Sequence, residues 1–264
     1  MKASVLLSTA AFLLYSELIW AEPVPVRHVQ GLLRGFLVLR AEDGTVLASG
    51  DLRQAVKGSQ VTSQLSFHFK DGSVHEETTV FSQRRTFRLL TYRLVQHGAA
   101  FKRPTDMRVN ASNGQVRIRY TDDGKEKTID ERIKLPADLA NGMVNTLLND
   151  LDPKLAKTTV SMVVSTPKPR IVQLVISPEG DDSFSIAGSP RKAIRYVAKI
   201  EIGGISGVIA PMIGKQPPDT HLWMIGGAEP GFLKSEGPLC DGCPIWSIEL
   251  TSPVWPKVGA DQKK

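Results

Sequence analysis

"MRVNASNGQVRIRY", residues 107 to 120, decides the fold. Asn113-Gly114 is a turn dipeptide set between two stretches of alternating polarity, the strongest short-range signal for a β-hairpin. A two-residue turn there pairs Ala111 with Val116, Val109 with Ile118 and Met107 with Tyr120. Apolar residues then meet apolar partners, while Arg108, Asn110, Arg117 and Arg119 share the opposite face. Side chains in a strand alternate with period two, so a slip of one residue would destroy the match.

The same punctuation recurs on both sides. Asp43-Gly44 sets Leu39 opposite Ala48 and Ala41 opposite Val46, and Asp123-Gly124 sets Ile118 opposite Ile129 and Arg117 opposite Asp130. In "AIRYVAKIEI" (193–202), Ile194, Tyr196, Ala198, Ile200 and Ile202 alternate onto one side. Such a series predicts an antiparallel meander with one face in water. One stretch breaks the period. In "LPADLANGMVNTLLNDLDP" (135–153), Ala140, Met143, Val144, Leu147, Leu148 and Leu151 follow the i, i+3, i+4, i+7 stripe of an amphipathic helix. Pro136 suits a first helical position, Asp138 the positive end of the dipole, and Pro153 a stop. The fold class is therefore mainly β: a large curled antiparallel sheet, a half-barrel or open barrel, with one α-helix over residues 136–151 covering its concave face.

The chain opens "MKASVLLSTAAFLLYSELIWAEPVPVRH". Lys2, the apolar run from Ala3 to Tyr15 and the small residue Ala21 before "EPVP" read as a secretory signal peptide over residues 1–21. A spanning helix would need about 20 apolar residues, and Glu17 interrupts this run. No later run is long enough to span after cleavage, so the expected location is periplasmic or extracellular. Residues 22–257 suffice for a single antiparallel β-rich domain, and the polar tail 258–264 reads as disordered. After Gly203, "GGISGVIAPMIGKQPPDTHLWMIGGAEPGF" turns rich in glycine and proline; it reads either as edge strands and loops closing the sheet or as a ligand-lining region.

The chain has 264 residues and a net charge of +6, and its pI is about 9.3. The basic residues are spread along it, which suits an anionic envelope surface or acidic ligand; with export, no nucleic-acid partner is expected. The shared face of Arg108, Arg117 and Arg119, only partly neutralised by Asp130, is the candidate for an anionic surface.

"EGPLCDGCPIW" (236–246) holds both cysteines, Cys240 and Cys243. A redox C-x-x-C sits at a helix N-terminus, which lowers the thiol pKa, but here Pro244 and the alternating "IWSIEL" follow. A structural zinc site needs four ligands and no second pair is in reach. A short-loop disulfide between Cys240 and Cys243, or two free thiols in an Asp-Gly turn, is the expectation.

In "QLSFHFKDGSVHEET", a two-residue turn at Asp71-Gly72 pairs Phe69 with Val74 and His68 with His75, with Glu77 on the same face opposite Ser66. Two imidazoles and a carboxylate suit a divalent metal. The same face carries Lys70 and Ser73 and no further ligand, so solvated histidines, and no metal, are the expected outcome. Catalytic patterns do not complete: Ser206 in "GGISGV" lacks G-x-S-x-G, and Ser189 and Lys192 in "SPRK" lead into a strand rather than a helix. No catalytic residue and no cofactor are assigned.

The stretches "STPKPR" (165–170), "RYVAKIEIGG" (195–204) and "APMIGKQPPD" (210–219), with "EGPL" and "SPVWP", resemble a set of uncharacterised exported bacterial proteins. Hairpins with one covering helix are also similar to the half-barrel of periplasmic lipoprotein carriers, which implies a fold and an apolar or amphiphilic ligand but transfers no binding residue. The sequence thus points to a non-enzymatic exported envelope protein that carries such a ligand or docks on an envelope partner. A hydrolase with its site in the glycine-rich region 203–237, and a structural surface protein, are the alternatives.

Overall fold

The computed structural model describes residues 22–152, 154–166, 168–201, 217–227 and 230–251. The expected signal peptide, most of the glycine-rich segment with Ser206, Pro153 and the polar tail lie outside the described residues.

The first half of the chain is a run of hairpins: β1 (Leu33–Arg40), β2 (Val46–Lys57), β3 (Gln60–Phe69), β4 (Val74–Gln83), β5 (Phe87–His97), β6 (Thr105–Asn110), β7 (Gln115–Asp122) and β8 (Lys125–Arg132). A short helix α1 (Val144–Leu148) follows. The second half comprises β9 (Thr158–Thr166), β10 (Lys168–Ile186), β11 (Ser189–Glu201), β12 (Thr220–Ile225), β13 (Gly231–Gly237) and β14 (Trp246–Leu250). Every pairing between named strands among the described residues is antiparallel, and all fourteen form one sheet in the order β8 to β1, then β14 back to β9. The pair β1–β14 is the seam between the halves. β8 and β9 are the two ends, so the sheet is curled but not closed into a barrel.

The curl follows from where the apolar residues go. Met107 and Val109 of β6, Val116 and Ile118 of β7, Val160 and Val163 of β9 and Tyr196 and Ala198 of β11 belong to one buried cluster. The inner faces of both halves therefore pack on each other. A second cluster continues along the inner face, with Leu37, Leu39, Phe67, Phe69, Phe101 and Trp246. Phe67 and Phe81 are fully buried. Side chains from both halves occupy the interior there.

Turn chemistry was legible as hairpins but not always in register. At Asp123-Gly124 the pairs Ile118–Ile129 and Arg117–Asp130 are as expected. At Asn113-Gly114 the turn is two residues longer, so Val109 faces Val116 and Met107 faces Ile118. Asn110 causes this: its carboxamide oxygen accepts from the Ser112 N–H while its carbonyl accepts from the Gly114 N–H, making a four-residue loop. The shift is even, so the faces stay correct. At Asp43-Gly44 Leu39 does face Ala48, but a bulge then pairs Arg40, not Ala41, with Val46.

The expected helix over 136–151 is corrected to a single turn, Val144–Leu148. Gly142 has φ +66°, which ends any helix through it, and an added Cβ there would lie 2.0 Å from Thr79 Oγ1. Upstream, residues 138–141 are drawn into pairing with β9. The Ala140 N–H donates to the Ser161 carbonyl at 2.8 Å. The Asn141 side chain donates to the Val163 carbonyl and accepts from its N–H, both at 2.8 Å. Asp138, expected at the positive end of a helix dipole, and Asn141 thus lie buried against a strand edge that would otherwise be open. The apolar stripe itself is right: Ala140, Met143, Leu147 and Leu148 are buried in the main cluster.

At the other end of the chain, residues 22–31 strap the sheet. The Val26 N–H donates to the Arg85 carbonyl, and the Phe87 N–H to the Val24 carbonyl. The Gln83 carboxamide accepts from the Gln30 N–H and donates to the Gln30 carbonyl. One oxygen of the buried Asp150 carboxylate accepts the N–H groups of both Arg27 and His28. Burial raises the Asp150 pKa above the usual carboxylate value despite these two donors.

Candidate functional site

Alternation along β5, β6 and β7 puts Arg93, Arg108, Arg117 and Arg119 on the outer face, each side chain about half exposed. Register then brings them together, because Arg93 faces Arg108 across β5–β6 and Arg108 faces Arg117 across β6–β7. Like charges directly opposite are unfavourable, and two carboxylates offset this. Asp106, opposite Arg119, accepts from Arg93 Nη2 at 3.2 Å, Arg108 Nε at 3.4 Å and Arg119 Nη2 at 3.0 Å. Asp130 of β8 accepts from Arg117 Nε at 2.8 Å and from the Gln115 carboxamide at 3.0 Å.

Partial burial pushes the Asp106 pKa up, but the hydrogen bonds from three guanidinium groups outweigh it and hold the carboxyl at about 2. Asp106 is therefore an anion throughout the physiological range and acts as a hub for its arginines. Four guanidinium groups meet two carboxylates, a surplus of positive charge. The bonds to Asp106 engage only part of each five-donor fork, on side chains that are about half exposed. Such an array, held in place before any ligand arrives, suits phosphate or carboxylate groups.

The residues expected to form the anionic-surface site, Arg108, Arg117 and Arg119, are thus brought together. Arg93 and Asp106 were missed. The signal for both was present, since Asp106 is two residues from Arg108 in an alternating strand, and Arg93 alternates in "RLLTYRLV". What the sequence lacked was the β5–β6 pairing, whose connection carries no turn dipeptide.

The metal candidates separate. The turn after Phe69 is one residue longer than expected, with the Phe69 N–H donating to the Ser73 carbonyl, so Phe67 rather than His68 faces His75. That single-residue shift sends His68 to solvent and His75, fully buried, to the interior. His75 does keep Glu77, with Nε2 and Oε1 3.2 Å apart. Its Nδ1 lies 3.0 Å from the Gln96 carboxamide nitrogen, which also donates to the Leu239 carbonyl at 2.8 Å. Because Gln96 donates here, Nδ1 accepts and the ring proton sits on Nε2, facing Glu77. Both ring nitrogens are thus engaged in structure, and the ring packs near those of Phe67 and Phe101.

Cys240 and Cys243 are joined in a disulfide, with Cα atoms 5.1 Å apart. The Cys243 N–H donates to the Cys240 carbonyl, and Gly242 takes φ +72° to close the turn. Both cysteines pack on the cluster of Phe67, Phe101 and Trp246. Ser189 and Lys192 lie exposed at the start of β11. Two open hollows of about 510 Å³ occur at the surface, one lined by Asp181, Lys192 and Ile194, the other by Glu42, Asp43 and Trp246. Neither gathers a nucleophile with a base. Among the described residues no helix is long and apolar enough to cross a membrane.

Neither a family model nor a curated protein matches the chain. It is similar to the crystal structure of a beta-barrel-like protein of a domain of unknown function from Brucella abortus, at 10% identity and a TM-score of 0.43. The match covers 89% of this chain and 100% of that one.

Proposed function

We propose that the chain is a non-enzymatic, exported protein of a bacterial envelope that docks on an anionic envelope component through the outer face of β5–β7. The observation that supports this reading is the fixing of Arg93, Arg108 and Arg119 around one carboxylate, with Arg117 beside them on a second. A purely structural role for these arginines would favour one carboxylate per guanidinium; here cations exceed anions on a half-exposed face. The carrier reading finds less support, because inner-face residues of both halves are buried in one common cluster.

Retention on phosphocellulose tests the reading, measured as the salt needed for elution. Replacing Arg108, Arg117 and Arg119 by alanine is expected to lower that salt well below the effect of a charge-matched control in which exposed Lys57, Lys154 and Lys157 become alanine. Equal shifts for the two triple variants would mean that net charge alone is read, and the assigned face would fall.

A further inference from the structure

The arginines of β5–β7 belong to a longer row. Followed strand by strand, the register places Arg34 of β1 opposite Arg53 of β2, and Arg53 opposite Gln64 of β3. Gln64 faces Thr78 of β4, Thr78 faces Arg93, and Arg93 leads on to Arg108 and Arg117. One rung crossing seven consecutive strands therefore carries five arginines and two neutral polar residues, with no apolar or acidic side chain. Asp130 of β8 ends it. At strand spacings of about 4.8 Å the rung is about 29 Å long.

Each arginine is exposed; Arg117 is held by Asp130 at the end of the rung, and the anions that hold the other four stand off it. Asp51 lies opposite Phe36 in the next rung, where Arg53 Nε donates to it at 2.9 Å and Arg34 Nη2 approaches to 3.7 Å. Asp106 does the same for Arg93 and Arg108. Both carboxylates are held below the ordinary range: Asp51 chiefly by the Arg53 hydrogen bond, Asp106 by its arginines acting against partial burial. The guanidinium groups are thereby braced from one side, and the line itself is left positive.

We infer that this rung is a track for a linear polyanion, a chain of phosphate, sulfate or carboxylate groups laid across the strands of the convex face. The inference rests on the anion-docking reading above and names the form of the ligand. A bilayer fits less well for a geometric reason. Neighbouring strands rotate by about 20–25°, so six steps turn the ends of the rung by roughly 120–150° relative to each other. A flat surface can then touch Arg34 and Arg53 or Arg108 and Arg117, whereas a flexible chain can follow both. Gln64 and Thr78, in the middle, carry no charge and offer hydrogen bonds, with exposed Glu76 in the next rung beside them.

The test measures binding of long-chain inorganic polyphosphate, tripolyphosphate and vesicles of mixed phosphatidylglycerol and phosphatidylcholine, each across a salt series. The wild-type protein is expected to bind the long chain with a steeper salt dependence than tripolyphosphate. The double variant Arg34→Ala/Arg53→Ala should weaken long-chain binding about tenfold and flatten its salt slope by about one to two units, as loss of two phosphate contacts requires. Its binding of tripolyphosphate and its melting temperature should not move. If long-chain binding responds to Arg108→Ala/Arg117→Ala but ignores Arg34→Ala/Arg53→Ala, the track is overturned while the docking face survives. Vesicle binding without polyphosphate binding would equally overturn it, in favour of a membrane. Absence of binding to all three probes would remove both readings.

Discussion

Gln96 on β5 binds His75 on β4 through the same carboxamide nitrogen that it donates to the Leu239 carbonyl, so one side chain ties the sheet interior to the disulfide loop. Methionine in place of Gln96 would leave the ring nitrogen and the carbonyl without their donor. Each buried polar group so orphaned costs about 1–3 kcal/mol. The variant is expected to melt lower and to show faster amide exchange in residues 239–243, with the disulfide intact by free-thiol count. Unchanged exchange in that loop would show that Gln96 does not hold it.

Packing against Gly50 offers a second test. A Cβ at Gly50 would lie 2.3 Å from the Phe67 ring and 2.9 Å from Leu37 Cβ. Phe67 is fully buried, so the ring cannot swing into water. Gly50→Ala is expected to cost about 1–3 kcal/mol by overpacking. Adding Phe67→Leu, which frees space at the clash, should make the double variant more stable than the sum of the two single losses; chemical denaturation of all three reads this directly.

The segment from Asp138 to Leu148 separates burial from helix periodicity. Leu147→Ala and Leu148→Ala remove fully packed side chains, at about 2–5 kcal/mol each. Asn145 is exposed, and its change to alanine is expected to be nearly neutral. Asn141→Ala, which a helix over 136–151 would make equally harmless, should instead cost about 1–3 kcal/mol by leaving the Val163 N–H and carbonyl unpaired. Similar melts for the two asparagine variants would contradict the pairing of Asn141 with β9.

Acid titration addresses the arginine hub. The Asp106 carboxyl is held at about 2 in the folded chain, below its ordinary 3.8. A lowered folded-state value means stability that is present above about pH 4 and lost as pH falls toward 2. Asp138, raised chiefly by burial, runs the other way and loses its contribution as pH rises through its elevated value. The difference between wild type and Asp106→Asn isolates the first group. Wild type should lose its advantage over the variant between about pH 4 and pH 2, and a constant gap across that interval would exclude the hub.

These cases show where sequence alone sufficed. Alternation in 107–120 and 193–202 assigned faces correctly, because the period of two survives an even error in register, as at Asn113-Gly114. It failed at Asp71-Gly72, where a single extra turn residue exchanged His68 for His75 and dissolved the metal candidate. The helix was overestimated because an i, i+3, i+4 stripe records only which side chains are buried. It does not record that Gly142 takes a positive φ or that Asn141 substitutes for backbone on a strand edge. The arginine face was half legible, since the pairing across β5–β6, whose connection carries no turn dipeptide, is a property of the assembled sheet.

The seam between β1 and β14 has a kinetic meaning. Hairpins form between neighbours in the chain, but Leu37 must wait for Leu250, almost the whole chain away. Pairings at such separation are slow to nucleate, and until they close, an open strand edge is exposed to other chains. As the chain is synthesised, β1 has β2 on one side and nothing on the other until the final described strand arrives. The two half-sheets are therefore expected to collapse separately and to dock last along β1–β14, so the slowest folding phase, and the greatest exposure to misassembly, belongs to that single line of hydrogen bonds.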